Sequence, residues 1–192
     1  MEKTKGRLIL VLGGSRSGKS QFAEQLAQRL GERLAYLATA PILDEEMSRR
    51  VAKHRQRRPE RWQTIEEPLQ VVEVLESLSK EVDVILLDCL TLWLSNLLLH
   101  DNLPEGKNSQ SAKEDFILSR VERLGRVMVG SGAHLVVVSN EVGLGLVPDN
   151  PLGRLFRDIA GQANQIIARQ ADEVYWVAAG LPLEIKSRAY QF

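Results

Sequence analysis

The chain has 192 residues, with 25 Lys and Arg balancing 25 Asp and Glu, so its formal net charge is zero. That length can bury one sizeable core, and the neutral balance gives no bulk electrostatic reason to bind nucleic acid or an anionic membrane. A single cysteine, Cys89, excludes an intrachain disulfide framework and a cysteine metal site.

The first residues, Met1 to Gly6, form no apolar leader, and no apolar run approaches the length of a membrane helix. A protein of the reducing cytoplasm, with no membrane span and no nucleic-acid partner, is therefore expected. Leu8–Leu12 is a short apolar run and predicts a buried strand. Gly13, Gly14, Ser15, Arg16, Ser17, Gly18, Lys19 and Ser20 follow it and fit the pattern G-x-x-x-x-G-K-[ST]. Gln21–Leu30 has apolar residues at helical spacing, and Gly31 is a natural stop.

Further apolar runs predict strands at Leu34–Ala38, Val82–Asp88, Leu135–Ser139 and Val174–Ala178. A short strand Leu183–Lys186 could follow the last. Between them lie helical patterns at Glu45–Arg57, Leu69–Lys80, Leu92–Leu99, Ala112–Val129 and Leu152–Gln170. Asp101–Ser111 is polar and turn-rich, as expected of a mobile surface loop. Alternating strands and helices predict an α/β fold like that of P-loop NTPases. It would be one domain over residues 1–192, a mostly parallel sheet with helices on both faces.

The glycine-rich octapeptide carries the clearest chemistry. Glycines let the backbone curl so that successive N–H groups face phosphate oxygens. Lys19 supplies positive charge near the β- and γ-phosphates, and the Ser20 hydroxyl suits Mg²⁺. A helix starting near Lys19 adds the positive end of its dipole. Val82–Asp88 ends in an acid at the edge where such sheets bind ligands, so Asp88 is the second candidate metal ligand. Asp83, at the other end of that strand, lies at the wrong edge for ligand work.

The segment Glu45–Arg57 is the most basic of the chain and carries His54 on the same face as Met47 and Val51. One reading is a solvated basic helix with a half-buried histidine. The other is a phosphorus nucleophile in a cationic field that favours neutral imidazole. His100 and His134 lack partners at metal-ligand spacing and read as structural or exposed. Trp62 and Trp93 could flank a large ligand, although buried tryptophans more often belong to the core. Asn140 and Glu141 could contact substrate or belong to a turn, and Arg157 and Asp158 could form a surface ion pair.

Several stretches together resemble one family. They are Gly13 to Ser20, Tyr36 to Ala40, Asp44 to Met47, His54 with Arg58-Pro59, and Trp62 to Glu66. Asp88 to Leu94 with Asn96, Ser139 to Gly143, Val147-Pro148, and Phe156 to Gly161 with Asn164-Gln165 complete the set. This pattern is similar to the bifunctional adenosylcobinamide kinase / adenosylcobinamide-phosphate guanylyltransferases of cobalamin biosynthesis.

The resemblance implies a transferase with two activities. It phosphorylates adenosylcobinamide with ATP or GTP, then transfers GMP from GTP to the product through a GMP–histidine intermediate. The matching histidine is His54; Lys53 stands where some members carry a second one. Implied nucleotide contacts are Gly13 to Ser20, Ala38, Thr39, Ala40, Arg55, Gln56, Arg57, Arg58, Glu66 and Asp88. Mg²⁺ on Ser20 and Asp88 is the implied cofactor, and a homotrimer the implied assembly.

Two rival readings use the same loop. A single-activity small-molecule kinase needs Gly13–Ser20 and Asp88 but no covalent histidine. A regulatory nucleotide-binding module needs no small-molecule product, but the chain has no Asn-Lys-x-Asp guanine-recognition sequence.

Overall fold

The computed structural model describes residues 6–40, 62–103, 109–128 and 130–190. Strands form where the apolar runs lie: β1 Leu8–Gly13, β2 Leu34–Ala38, β4 Val84–Asp88, β5 His134–Asn140 and β6 Glu173–Ala178. Two short strands join them, β3 Gln63–Glu66 and β7 Leu181–Glu184. All seven form one sheet in the order β3-β2-β4-β5-β1-β6-β7. Every pairing is parallel except that of β6 with β7.

The five described α-helices are α1 Lys19–Leu30, α2 Val71–Leu78, α3 Leu90–Leu99, α4 Gln110–Val127 and α5 Pro151–Gln170. They cover both faces, as predicted. Alternation along β1 sends Leu8, Leu10 and Leu12 to one face and Ile9 and Val11 to the other. The first face packs against α2, α3, α4 and α5 through Leu75, Trp93, Ile117 and Ile167. The second packs against α1 through Ala23 and Ala27. Small residues there let the helix sit close to the strands, while Phe22 meets Tyr175 with ring centroids 4.9 Å apart.

Some boundaries differ from expectation. The C-terminal strand is Leu181–Glu184, not Leu183–Lys186. A two-residue turn, Ala179-Gly180, connects it to β6, with φ 50° and 82° and Ala178 paired to Leu181. Positive φ at both central residues is the type I′ turn, whose twist matches a hairpin, so the turn fixes the register. Lys186–Arg188 forms a 3₁₀ turn instead of extending the strand. Of the expected loop Asp101–Ser111, residues 104–108 lie outside the described part. Ser109 caps α4 by accepting the Ala112 N–H, so Gln110 and Ser111 already belong to the helix. The predicted helix Glu45–Arg57 also lies outside the described residues. Among those described, no helix is long and apolar enough to cross a membrane.

Candidate nucleotide site

The sheet delivers its candidate chemistry to one edge. In register, Gly13 stands beside Asn140, Ala38 beside both Glu66 and Asp88, and Asp88 beside Val138. These are the carboxyl ends of parallel strands, where ligands of open α/β sheets bind. β5 lies between the strand that leads into the glycine loop and the strand that ends in Asp88.

The loop is tightly built. Gly13 is irreplaceable on steric grounds: a Cβ there would lie 2.5 Å from both Ser17 Oγ and the Val177 carbonyl oxygen. Ser17 donates its N–H to the Gly14 carbonyl at 3.3 Å. Arg16 and Gly18 adopt positive φ, 57° and 95°, which curls the backbone into an anion-binding concavity before α1 begins at Lys19. The C-terminal hairpin props this loop, with Gly180 N–H donating to Ser17 O at 2.8 Å. Ser17 Oγ is buried without a hydrogen-bond partner among the described residues. An orphaned hydroxyl costs about 1–3 kcal/mol, which a phosphate oxygen seated in the loop would relieve.

Lys19 is buried and folds back to donate from Nζ to Gly14 O at 3.0 Å. Burial lowers its pKa below the usual lysine value, while Cys89 and Asp88 oppose that shift. The Cys89 thiol is itself pushed up to about 11, chiefly by burial. It is therefore uncharged at neutral pH. Asp88 Oδ2 accepts from the Tyr36 hydroxyl at 2.9 Å. That bond fixes one carboxylate oxygen of the acid.

Ala38-Thr39-Ala40 continues β2 into this region, but the Thr39 hydroxyl is occupied. It donates to Cys89 O at 2.8 Å and accepts from Cys89 N–H at 2.9 Å, and Thr39 is fully buried. Thr39 N–H also donates to Asp88 O at 3.2 Å. Its side chain clasps the ends of β2 and β4 and orients the acid. Asn96 completes the clasp by donating to Thr39 O at 2.8 Å and Pro68 O at 3.0 Å. Glu66, exposed at the end of β3, shares the edge. His54, Arg55, Gln56, Arg57 and Arg58 lie outside the described residues.

Residues of open role now have partners. Asn140 Nδ2 donates to Thr91 Oγ1 at 3.1 Å, Ser139 Oγ to Asn164 Oδ1 at 2.7 Å, and Asn164 Nδ2 to Asn140 O at 3.3 Å. This buried network stiffens the strand between the loop and the acid. Glu141 N–H donates to Gly13 O at 3.1 Å, and its carboxylate accepts from Gly143 N–H at 2.6 Å. Arg157 does not pair with Asp158; it donates to Gly143 O at 2.9 Å. Trp62 and Trp93 are core residues, and Trp93 Nε1 donates to Leu69 O at 2.9 Å. Asp83 sits at the far edge, accepting from Arg33 at 3.0 and 3.1 Å. His134 Nδ1 accepts from Arg7 N–H at 3.1 Å, also far from the loop.

A family model described as cobinamide kinase / cobinamide phosphate guanyltransferase matches residues 9–185. The chain belongs to that family. Curated relatives of the family are similar along almost their whole length. The chain is 44% identical over 177 residues to the bifunctional adenosylcobalamin biosynthesis protein CobP of Pseudomonas aeruginosa, covering 92% of this chain and 96% of that protein. It is 42% identical over 182 residues to the protein CobU of Escherichia coli, with 93% and 99% covered. A crystal structure of the RadB recombinase is similar at a TM-score of 0.45 and 17% identity, covering 90% of this chain and 74% of that one. Within the cobinamide kinase family match fall the loop, Lys19, Thr39, Glu66 and Asp88, as well as the basic segment with His54.

Tyr36 and Gly180 escaped the residue-by-residue reading. Tyr36 carried a usable signal, since it lies two residues before Ala38 and so on the same face of β2. Gly180 is a turn residue between two short apolar runs, which announces a hairpin but not its contact with a loop far away in sequence.

Proposed function

We propose that this chain is a two-step enzyme of corrinoid metabolism. It phosphorylates the aminopropanol hydroxyl of adenosylcobinamide with ATP or GTP, then transfers GMP from GTP to that phosphate. The products are adenosylcobinamide-GDP and pyrophosphate. The observation that carries the reading is the meeting of the Gly13–Ser20 loop, Lys19 and Asp88 at one sheet edge, in a chain matched to the family over residues 9–185.

In the first step the substrate hydroxyl attacks the γ-phosphorus and the nucleoside diphosphate leaves with the bridging oxygen. The loop N–H groups and Lys19 hold the triphosphate and neutralise charge on the leaving side. Ser20 and Asp88 offer only oxygen, which suits Mg²⁺. Such an ion takes few protein carboxylates because phosphates and water fill its other positions. Asp88 is ready for it, with Oδ2 held by Tyr36. When bound there, Mg²⁺ would neutralise charge on the triphosphate.

In the second step the His54 imidazole attacks the α-phosphorus and pyrophosphate leaves. The resulting phosphoramidate is then attacked by a cobinamide-phosphate oxygen, which restores free imidazole. Splitting one displacement into two is the gain of covalent catalysis. Arg55, Arg57 and Arg58 neutralise the leaving pyrophosphate, and Gln56, Ala38, Ala40 and Glu66 complete the nucleotide contacts. The family resemblance supports a homotrimer as the working assembly and the cytoplasm as its place.

The test is labelling with GTP carrying radiolabel at the α- or the γ-phosphate, on wild type and His54→Asn. Acid-labile, alkali-stable α-label that disappears in the variant supports the nucleotidyl half. Absence of α-label in wild type removes it and leaves a plain kinase.

A further inference from the structure

A cavity of about 720 Å³ opens between the start of α4, Gly143 and α5. That volume is within the range of small-molecule sites, roughly 300–1,000 Å³. Its wall is polar: Glu114, Gly143, Arg157, Asp158, Gln162 and Gln165 all line it. The wall is built rather than incidental, since Gln162 Nε2 donates to Glu114 Oε1 at 3.0 Å and ties α5 to α4.

The segment beside it is apolar and exposed. Leu144, Leu146 and Val147 are 80%, 97% and 67% exposed, and Leu152 is 50% exposed. The backbone carrying them is nonetheless pinned. Arg157 donates to Gly143 O, Arg154 to Pro148 O and Asp149 O at 3.0 and 2.8 Å, and Gly153 N–H to Asn150 Oδ1 at 2.7 Å. A segment fixed from below while presenting apolar side chains to water has something to receive there. The site also adjoins the chemistry, because Glu141 N–H bonds Gly13 O two residues before Gly143 enters the cavity wall.

We infer that this cavity and the Leu144–Leu152 rim bind the corrin macrocycle, the amides of the ring against the polar wall and its flat apolar face against the leucines. This rests on the proposed function, which supplies the substrate class. Two-sided chemistry selects it: a corrinoid has an apolar face with a fringe of primary amides, which both donate and accept. Asp158, Gln162 and Gln165 offer complementary acceptors and donors. A ring seated here places its hydroxyl arm toward the loop on the adjoining strand.

The test uses the intact protein and three readouts: cobinamide phosphorylation kinetics, α-label from GTP, and mass by light scattering. Leu146→Ser and Gln165→Leu are expected to raise KM for adenosylcobinamide about tenfold, with little change in kcat. α-Label, which needs no corrinoid, and the mass stay as in wild type. Both side chains are exposed, so folding is preserved. Unchanged KM in both variants, with wild type phosphorylating cobinamide, overturns this site and leaves the proposed function standing. A fall in mass with Leu146→Ser overturns it in favour of a second copy of the chain on the rim. A wild type that phosphorylates no cobinamide overturns the function and this site with it.

Discussion

Replacing Thr39 by Val separates a structural role from a nucleotide contact. The shape is nearly kept, but the hydroxyl that serves Cys89 N–H and Cys89 O is lost. The carbonyl retains a partner, because Trp93 N–H donates to it at 3.2 Å. The N–H is left buried and unpaired, which costs about 1–3 kcal/mol, and the lost bonds add about 1 kcal/mol more. The expected destabilisation is therefore about 2–4 kcal/mol. For a chain of this size that lowers Tm by roughly 4–16 °C. The assay is urea unfolding at fixed protein concentration without nucleotide, with Thr39→Ser as the control that keeps the hydroxyl. GTP affinity of the folded Thr39→Val protein should change less than threefold. A variant as stable as wild type that binds GTP tenfold more weakly would refute the clasp and return Thr39 to the nucleotide.

Three further outcomes come from the same edge. Gly13→Ala forces a Cβ against the Val177 carbonyl, which is backbone and cannot swing away, so nucleotide binding by equilibrium titration should be abolished while far-ultraviolet circular dichroism persists. The Cys89 thiol, buried and raised from 9.0 to about 11, should resist iodoacetamide at pH 8 in folded protein and react on unfolding. Because the folded value is the higher one, its contribution is fully present below pH 9 and is lost as pH rises through 11. That amounts to about 2–3 kcal/mol, visible as an alkaline fall in unfolding free energy that Cys89→Ala removes.

The central strands were legible because parallel strands buried on both faces must be apolar along their length, and β2 ran over its predicted residues. Gln63–Glu66 was missed for the opposite reason. As an edge strand it is short and largely open, so it shows neither an apolar run nor a clean alternation. Gly13–Ser20 and Asp88 could be read because phosphate chemistry fixes both residue type and spacing. The partners of Thr39, Asn140 and Arg157 could not, since each is a contact between elements that only the folded chain brings together. Thr39 shows the limit of resemblance as well: likeness points to the position, while geometry shows which of its atoms are already committed.

The hairpin behind the phosphate loop has a consequence for the order in which the protein becomes competent. β1 is clamped on both sides by strands made much later; Arg7 N–H reaches His134 across 127 residues and Leu8 N–H reaches Asp172 across 164. Gly180 then closes on Ser17. A nascent chain that has emerged as far as Asp88 already contains every residue of the glycine motif and its acid, yet lacks the strands and the turn that hold the loop. Nucleotide capture is therefore expected late in synthesis, and ribosome-bound intermediates short of the Ala179-Gly180 turn should not retain GTP in a pull-down assay.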